Sequence, residues 1–338
     1  MKRFTRRIYS ALAVSALTVL AACSSEETTA DAPAKIEINV AYGNQPGEPI
    51  DQLAHKWKEL VEQRSEGKVS LKLYPSSLLG SEQDVVEQAR MGNNVIILAG
   101  YGFLMNYVGD AGIFDTPFLV DNFDQLIYLT STDWYGDIAA KLREKKLDVV
   151  LPAVIYGERH LITKQPVLTP DDLKGMKIRV PNTQIAINTF TDLGASPTPT
   201  PLSDLYTALQ QGLVDGAENP LPVLQGVKAQ EVAKHLSLTG HQRFILAWVA
   251  GTGFTSTLPE DVRKLLVETG EEARDYGRKV LEEEDKKVLE AFKAANVTVH
   301  EVDQKLFKDA VRDVYGKFPN FTPKLYETVQ ELLAKQQQ

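Results

Sequence analysis

Arg179 is the residue of this chain whose type and setting most directly suggest binding chemistry. Apolar and basic residues alternate over 176–180, which predicts a short strand. Pro181 has no N–H to donate, so the strand should end there. Loops at strand ends form the binding sites of open α/β sheets, and a guanidinium offers a planar fork of donors that matches a carboxylate. From the residues alone, a carboxylate-binding arginine and an ordinary surface arginine both remain open.

Three further side chains could lie near the same site. Asn219 precedes Pro220, which favours extended backbone, and its amide can both donate and accept hydrogen bonds. Asn182 follows the Arg179 strand. Both asparagines could equally be turn residues. Tyr101 lies in a Gly-Tyr-Gly-Phe segment directly after a predicted buried strand, so we expect it to line a cleft.

Four motifs follow one another between residues 154 and 220. They are Val154-Ile-Tyr-Gly-Glu-Arg159, Lys177-Ile-Arg179-Val-Pro-Asn182, Gly194-Ala-Ser-Pro197 and Val214-Asp-Gly-Ala-Glu-Asn219-Pro220. In this order and combination they resemble the substrate-binding proteins of tripartite ATP-independent periplasmic (TRAP) transporters. The resemblance extends over nearly the whole chain after residue 35, and it includes Asp115-Thr-Pro-Phe118.

The resemblance implies an α/β fold of two domains, with a long helix running across both. It implies that Arg179 grips the carboxylate of a small organic acid in the cleft between the domains. Arg159 would be a further contact to the ligand, although an ion pair with Glu158 is the alternative, and Asn219 would reach the ligand as well. The loaded protein would dock on a TRAP membrane permease, and no cofactor or metal is expected.

The first residues predict an export signal. Basic residues at 2–7 precede a short apolar run, and Leu20-Ala21-Ala22-Cys23 resembles a bacterial lipobox. We therefore expect residues 1–22 to be a signal peptide and Cys23, the only cysteine, to carry lipid chains that anchor the protein to a membrane. An ordinary signal peptide with a chance cysteine is the alternative. Residues 23–35 are polar and predict a flexible tether.

The length of the remaining chain suggests two domains. We expect domain I at 36–156 plus about 245–284, and domain II at 157–244 plus about 285–335. A β-α-β-α-β pattern over residues 36–99 predicts a parallel sheet with helices on both faces. A helical pattern from Pro259 to about Ala295 predicts the long helix, with kinks at Gly270 and Gly277.

Several function classes lack support in the sequence. The formal net charge is −8, whereas nucleic-acid binding needs a basic face. The common hydrolase, metalloprotease and P-loop motifs are absent, and the five histidines show no metal-ligand spacing. We therefore expect a periplasmic binding protein and not an enzyme. A sensory protein that serves a receptor kinase would have the same fold.

The class of ligand is predicted from the polar residues around the arginines. Asn182 and Glu158 favour a sugar acid such as a uronate, an aldonate or a sialate-like acid. A C4-dicarboxylate or keto acid is the alternative, with Arg159 holding the second carboxylate.

Overall fold

The computed structural model describes residues 35–336. The strands in this part are β1 Ile36–Ala41, β2 Val69–Tyr74, β3 Ile96–Gly100, β4 Leu147–Thr163, β5 Lys177–Val180, β6 Ser196–Pro199, β7 Gly216–Asn219, β8 His235–Gly251 and β9 Thr298–His300. The α-helices are α1 Pro49–Arg64, α2 Glu82–Arg90, α3 Tyr101–Leu104, α4 Phe123–Thr130, α5 Asp133–Glu144, α6 Gln184–Asp192, α7 Leu205–Gln210, α8 Leu221–Gly226, α9 Ala229–Val232, α10 Thr252–Thr255, α11 Glu260–Ala294, α12 Gln304–Ala310 and α13 Leu325–Gln336. Within residues 35–336, every helix is too short or too polar to cross a membrane.

All the strands belong to one sheet, in the order β2-β1-β3-β8-β4-β7-β5-β6, with β9 beside β8. β1 pairs in parallel with β2 and β3, and β5 pairs in parallel with β6 and β7. This confirms the parallel pairing predicted for the first three strands. The complete sheet is nevertheless mixed, because β8 returns antiparallel between β3 and β4, and β7 runs antiparallel to β4.

We call the half of the molecule built on β1, β2 and β3 lobe I, and the half built on β5, β6 and β7 lobe II. β4 and β8 are each seventeen residues long and run through both halves. The apolar runs at 236–241 and 244–249, which the sequence predicts as two separate strands, are therefore parts of one strand. This arrangement agrees with the predicted two-domain fold, while the exact domain boundaries stay a prediction.

The pairing of β4 with β8 has irregularities where the lobes meet. One register shift lies between Ile155 and Gly157, and another lies between Arg159 and Leu161. Such bulges bend a strand locally. Gly157 has a φ of +130°, and a Cβ atom there would lie 2.8 Å from Cβ of Pro220. The position therefore needs glycine, both for its backbone conformation and for space.

The helix α11 is one uninterrupted helix of 35 residues, about 52 Å long at 1.5 Å per residue. It packs against α1 of lobe I and against α8 and β9 on the side of lobe II. The sequence prediction of a long helix across both domains is thus confirmed. Gly270 and Gly277, predicted as kinks, lie inside the continuous helix. Their missing side chains let Trp57 and Leu53 of α1 approach.

Lobe I buries apolar side chains on both faces of its sheet. Along β3, Ile97 and Ala99 pack in one core cluster, whereas Ile96 and Leu98 pack in the other. This two-sided burial is why the segment is a continuous apolar run. Residues 121–146, whose sequence predicts a single helix, form the two helices α4 and α5, because the side chain of Thr132 caps the start of α5.

Candidate functional site

A cleft of about 300 Å³ lies between the two lobes. Asn44, Glu82 and Asp115 line it from lobe I, at the loop after β1, the start of α2 and the turn before α4. Arg179, at the end of β5, lines it from lobe II. Arg159, on β4, lines it where the two lobes join. The site therefore forms at the carboxyl ends of parallel strands, as expected for an open α/β sheet.

Arg179 is buried, with 3% of its surface exposed, yet it lines the cleft. Its Nε donates a hydrogen bond to the backbone oxygen of Thr200 at 2.9 Å. Within residues 35–336 this is the only hydrogen bond of the guanidinium, so both Nη groups are available to a ligand. Burial lowers the pKa of Arg179 to about 10, partly offset by the charge of Glu218, so the group stays charged at neutral pH.

Arg159 is in a different electrostatic state. Its Nη2 donates to Oε1 of Glu218 at 2.6 Å, and its Nε donates to Oε2 of the same carboxylate at 2.5 Å. Both side chains are almost fully buried, and the Phe244 ring lies 4.6 Å from the guanidinium carbon. The Arg159 charge is thus balanced by a two-point ion pair within the protein.

Glu218 is the central carboxylate of this network. Burial alone would raise its pKa, but the charge of Arg159 and hydrogen bonds from His241 and Arg159 outweigh burial and lower the pKa to about 2. His241 Nε2 lies 3.3 Å from Oε2 of Glu218. The alternative pairing considered from the sequence, Arg159 with Glu158, is wrong, because Glu158 lies 3.1 Å from Arg243 instead.

Two more carboxyl groups line the lobe I side of the cleft. Glu82 accepts a hydrogen bond from the Gly100 amide at 2.6 Å, and Asp115 accepts one from the Gly102 amide at 2.7 Å. Burial raises the pKa of Glu82 to about 7 and that of Asp115 to about 8, although the amides and the nearby arginines lower both. Near neutral pH these groups can hold protons and so donate as well as accept hydrogen bonds.

The two predicted asparagines also line the cleft. Asn219 ends β7 opposite His160 of β4 and is 3% exposed. Asn182 is more exposed, and its Nδ2 donates to Oε1 of Gln83 at 3.2 Å. Since Gln83 belongs to lobe I, this hydrogen bond connects the two lobes beside the cleft.

Glu158 and Tyr101 are not among the residues that line the cleft. Tyr101 is fully buried, and its hydroxyl lies 2.7 Å from that of Tyr135 in the core of lobe I. Trp248, which the sequence suggests as a cleft residue in the strand at 244–249, is also buried in a core cluster. The sequence suggested Tyr101 because it follows β3, but it begins α3 and turns into the core. We therefore leave Glu158 and Tyr101 out of the proposed ligand contacts.

Sequence reasoning missed Glu82 and Glu218 as site residues. Glu82 could have been predicted from the sequence, because it starts a helix directly after the Gly80-Ser81 turn that follows β2, where binding sites commonly form. Glu218 lies within a motif that was noted, but its partner depends on the register of β7 against β4. Among residues 35–336, no three His, Cys, Asp or Glu side chains are grouped as ligands for a metal ion.

The fold and the cleft define a two-lobed α/β solute-binding protein. A family profile described as bacterial extracellular solute-binding protein, family 7, matches residues 40–320. The chain belongs to this family of TRAP solute-binding proteins, which are not enzymes.

Individual relatives agree with this assignment. The chain is 33% identical over 270 residues to the 2,3-diketo-L-gulonate-binding periplasmic protein YiaO of Escherichia coli strain K12, covering 78% of this chain and 82% of the relative. A TRAP periplasmic solute binding protein from Actinobacillus succinogenes 130Z, solved with bound L-galactonate, is 44% identical with a TM-score of 0.87, covering 88% of this chain and 99% of that one. One from Ochrobacterium anthropi with bound L-fuconate is also 44% identical with a TM-score of 0.87, covering 89% and 100%.

Proposed function

We propose that this protein captures a sugar acid in the periplasm and delivers it to a TRAP membrane permease. The observation that carries the proposal is Arg179, a buried, charged residue that lines the cleft and whose Nη groups have no acidic partner among residues 35–336. A buried charge without a counter-charge is costly, so a ligand carboxylate would relieve the cost. Two parallel hydrogen bonds from the guanidinium would hold it.

The opposite side of the cleft supports a polyhydroxy acid over a dicarboxylate. Glu82 and Asp115 present carboxyl groups there, which can donate to or accept from ligand hydroxyls but supply no positive charge for a second ligand carboxylate. Arg159, the cation that a dicarboxylate would need, is already neutralised by Glu218. The two relatives at 44% identity were solved with L-galactonate and L-fuconate, which supports an aldonate.

The remaining polar residues fit the same ligand. Asn219 and Asn182 line the cleft and can donate and accept hydrogen bonds along a hydroxylated chain. Arg159 would not be the main carboxylate contact. It would contribute its positive charge near the ligand and a hydrogen bond from Nη1, since its Nε and Nη2 already donate to Glu218. We propose the ligand set Arg179, Arg159, Asn219 and Asn182 from the sequence prediction, with Glu82 and Asp115 added.

The proposed location follows from the relatives and from the leader. YiaO is a periplasmic protein. Residues 1–34 lie outside the described residues, so the signal peptide, the acylated Cys23 and the tether remain proposals that rest on sequence alone.

The test is a ligand panel followed by calorimetric titration. Thermal-shift measurements would compare aldonates, uronates, sialic acid, C4-dicarboxylates, keto acids and neutral sugars. A ligand at 100 times its dissociation constant adds about 2.7 kcal/mol of stability to the folded state. We expect shifts with aldonates or uronates. A shift confined to dicarboxylates or to neutral sugars would contradict the sugar-acid proposal.

Substitution of Arg179 tests the residue that carries the proposal. Arg179→Ala should cost about 3–5 kcal/mol of binding free energy, on the order of a hundredfold to several thousandfold in affinity. Arg179→Lys should also bind poorly, since an ammonium cannot reproduce the fork. Arg312→Ala, at an exposed arginine, is the matched control. Affinity of the Arg179 variants within a fewfold of the unaltered protein would overturn the assigned role.

A further inference from the structure

A second, much smaller chamber adjoins the main cleft and shares Arg159 and Asp115 with it. Asp115 lines it from lobe I, Thr189 of α6 lines it from lobe II, and Gln242 lines it from β8 at the junction of the lobes. Arg159, Glu218 and His241 are also among its lining residues. The chamber therefore lies where the two lobes meet the buried ion-pair network.

Three polar atoms of these residues are buried and have no hydrogen-bond partner within residues 35–336. They are Oδ1 of Asp115, Oγ1 of Thr189 and Nε2 of Gln242. Asp115 is 7% exposed and Thr189 is 4% exposed. Buried polar atoms of this kind almost always have a partner in folded proteins, because leaving them unpaired costs free energy. Their convergence on one chamber indicates a shared partner.

The size of the chamber limits what that partner can be. The chamber offers about 20 Å³, and one water molecule needs about 10–15 Å³ on the same measure. A single water fits, whereas a sugar acid or an inorganic oxyanion does not. A water can accept from Nε2 of Gln242 and donate to Oγ1 of Thr189. Its third hydrogen bond joins Oδ1 of Asp115, which accepts when ionised and donates when protonated, and three such bonds are typical of buried water.

We propose that one ordered water occupies this chamber and joins Asp115 of lobe I to Thr189 of lobe II and to Gln242 at the junction of the lobes. The other oxygen of Asp115 already accepts from the Gly102 amide, so the water completes the hydrogen bonding of that carboxyl. Because Asp115 and Thr189 belong to different lobes, the geometry of the site depends on the distance between the lobes. The water therefore stabilises this arrangement of the lobes without touching the ligand, and Thr189 acts as a positioning residue.

The direct test is a crystal structure of the ligand-free protein at a resolution that defines ordered water. We expect one density peak within hydrogen-bond distance of Asp115 Oδ1, Thr189 Oγ1 and the Gln242 amide. An empty chamber, or direct contacts among the three side chains, would overturn the proposal. So would a peak with five or six oxygen neighbours at about 2.4 Å, because those distances identify a cation.

Substitution at Thr189 tests the energetic role. Thr189→Val removes the hydroxyl at nearly constant size, and it should lower the melting temperature by about 2–4 °C and remove or weaken the density peak. Thr189→Ser keeps the hydroxyl and should retain the peak. Thr191→Val is the control, since its exposed hydroxyl bonds only within α6, to the Ile187 oxygen. Equal melting temperatures for Thr189→Val and Thr191→Val would contradict the role.

Ligand affinity shows whether the water helps to position the two lobes or only stabilises the residues around it. Thr189 does not line the main cleft, so a ligand found in the panel should bind Thr189→Val several-fold more weakly only if the water helps to hold the lobes. Unchanged affinity would overturn the positioning role. The crystallographic test needs no ligand, so its outcome is independent of the proposed sugar-acid function.

Discussion

Arg159 and Arg179 are the same residue type in the same cleft, yet their neighbours give them different roles. Arg159 meets a carboxylate of its own chain at two points, so its charge is balanced before any ligand arrives. Within residues 35–336, Arg179 donates a hydrogen bond only to a backbone oxygen, so its charge can be balanced by the carboxylate of a ligand. Charge balance, rather than residue identity, separates a structural arginine from a ligand-binding one.

The first prediction at this scale concerns the buried pair. Arg159→Met should lower the free energy of unfolding by about 3–5 kcal/mol, because Glu218 would remain buried without its main counter-charge. Arg159→Met combined with Glu218→Leu should recover much of that loss, since no unpaired charge is left. Urea unfolding at neutral pH measures both.

Arg243→Met provides the control for this pair. Arg243 contacts Glu158 at 3.1 Å, but both side chains are partly exposed, so the loss should be below about 1 kcal/mol. If Arg159→Met were no less stable than Arg243→Met, the buried pair would not contribute as described.

The sequence predicted several site residues well because a family motif carries residue identity. Arg179, Arg159, Asn219 and Asn182 all line the cleft. It did not predict the partner of Arg159, because the register that puts Leu161 opposite Glu218 is a property of β4–β7 pairing and not of either strand alone. The roles of these residues toward a ligand stay predictions.

At the scale of elements, the contact between α1 and α11 depends on the glycines of the long helix. A Cβ atom at Gly277 would lie 2.5 Å from Cδ1 of Leu53 and 3.0 Å from its Cβ. Those distances are too short for an ordinary side chain, so the two helices are packed at the limit set by glycine. Glycine in this helix thus permits close packing against α1.

Gly277→Ala should therefore destabilise the protein by about 1–3 kcal/mol through overpacking. Gly136→Ala is the matched control, because Gly136 is an exposed position of α5 with no atom within 4 Å of an added Cβ. That change should stabilise the protein by about 0.5–1 kcal/mol. Thermal melts of the two variants, measured side by side, compare the effects. If Gly277→Ala were stabilising, α1 would be able to move away from α11 without loss of stability.

The bounds of a long element could be predicted where one hydrophobic pattern continued through it. They could not be predicted where strand pairing in the folded protein determined them. The helical spacing of α11 runs unbroken for 35 residues, so both its ends were predicted within about two residues. β8 was predicted as two strands, 236–241 and 244–249, with the polar residues Gln242 and Arg243 between them. In the folded protein the pairing of β8 with β4 carries the strand through these two residues.

At the scale of the whole molecule, stability should depend on pH through its buried carboxyl groups. Burial raises the pKa of Glu48 and of Asp115 to about 8, and that of Glu82 to about 7. Between about pH 4, where such groups titrate in an unfolded chain, and about pH 8, the folded state holds protons that the unfolded state has released. Stability therefore falls as pH rises through this range.

We expect the ligand-free protein to melt several degrees lower at pH 8.5 than at pH 5.5. Asp115→Asn should reduce this difference, because the amide does not titrate. Glu218 acts oppositely: its lowered pKa stabilises the fold above about pH 4, and that contribution is lost as pH falls toward 2. Melting temperatures that rise steadily from pH 5.5 to pH 8.5 would show that these carboxyls are already ionised in the folded protein.

The membrane attachment is a further prediction for the whole chain. Cells grown with labelled palmitate should incorporate the label into the protein, and Cys23→Ser should abolish incorporation because no thiol remains to be acylated. Thr28→Ala, within the expected tether, should leave labelling unchanged. An unlabelled wild-type protein would instead support the ordinary signal peptide.

The position of β8 in the sheet also bears on how the chain is made. Ile96 of β3 pairs with Ala250 of β8. The edge of β3 that faces β8 therefore stays unpaired until about 150 further residues have been synthesised. β4, at Leu147–Thr163, likewise waits for β8 as its partner. Nascent chains thus lack a complete first lobe during most of synthesis. The complete sheet of lobe I can therefore form only after residue 250 has been synthesised, so folding of this lobe follows most of synthesis instead of accompanying it.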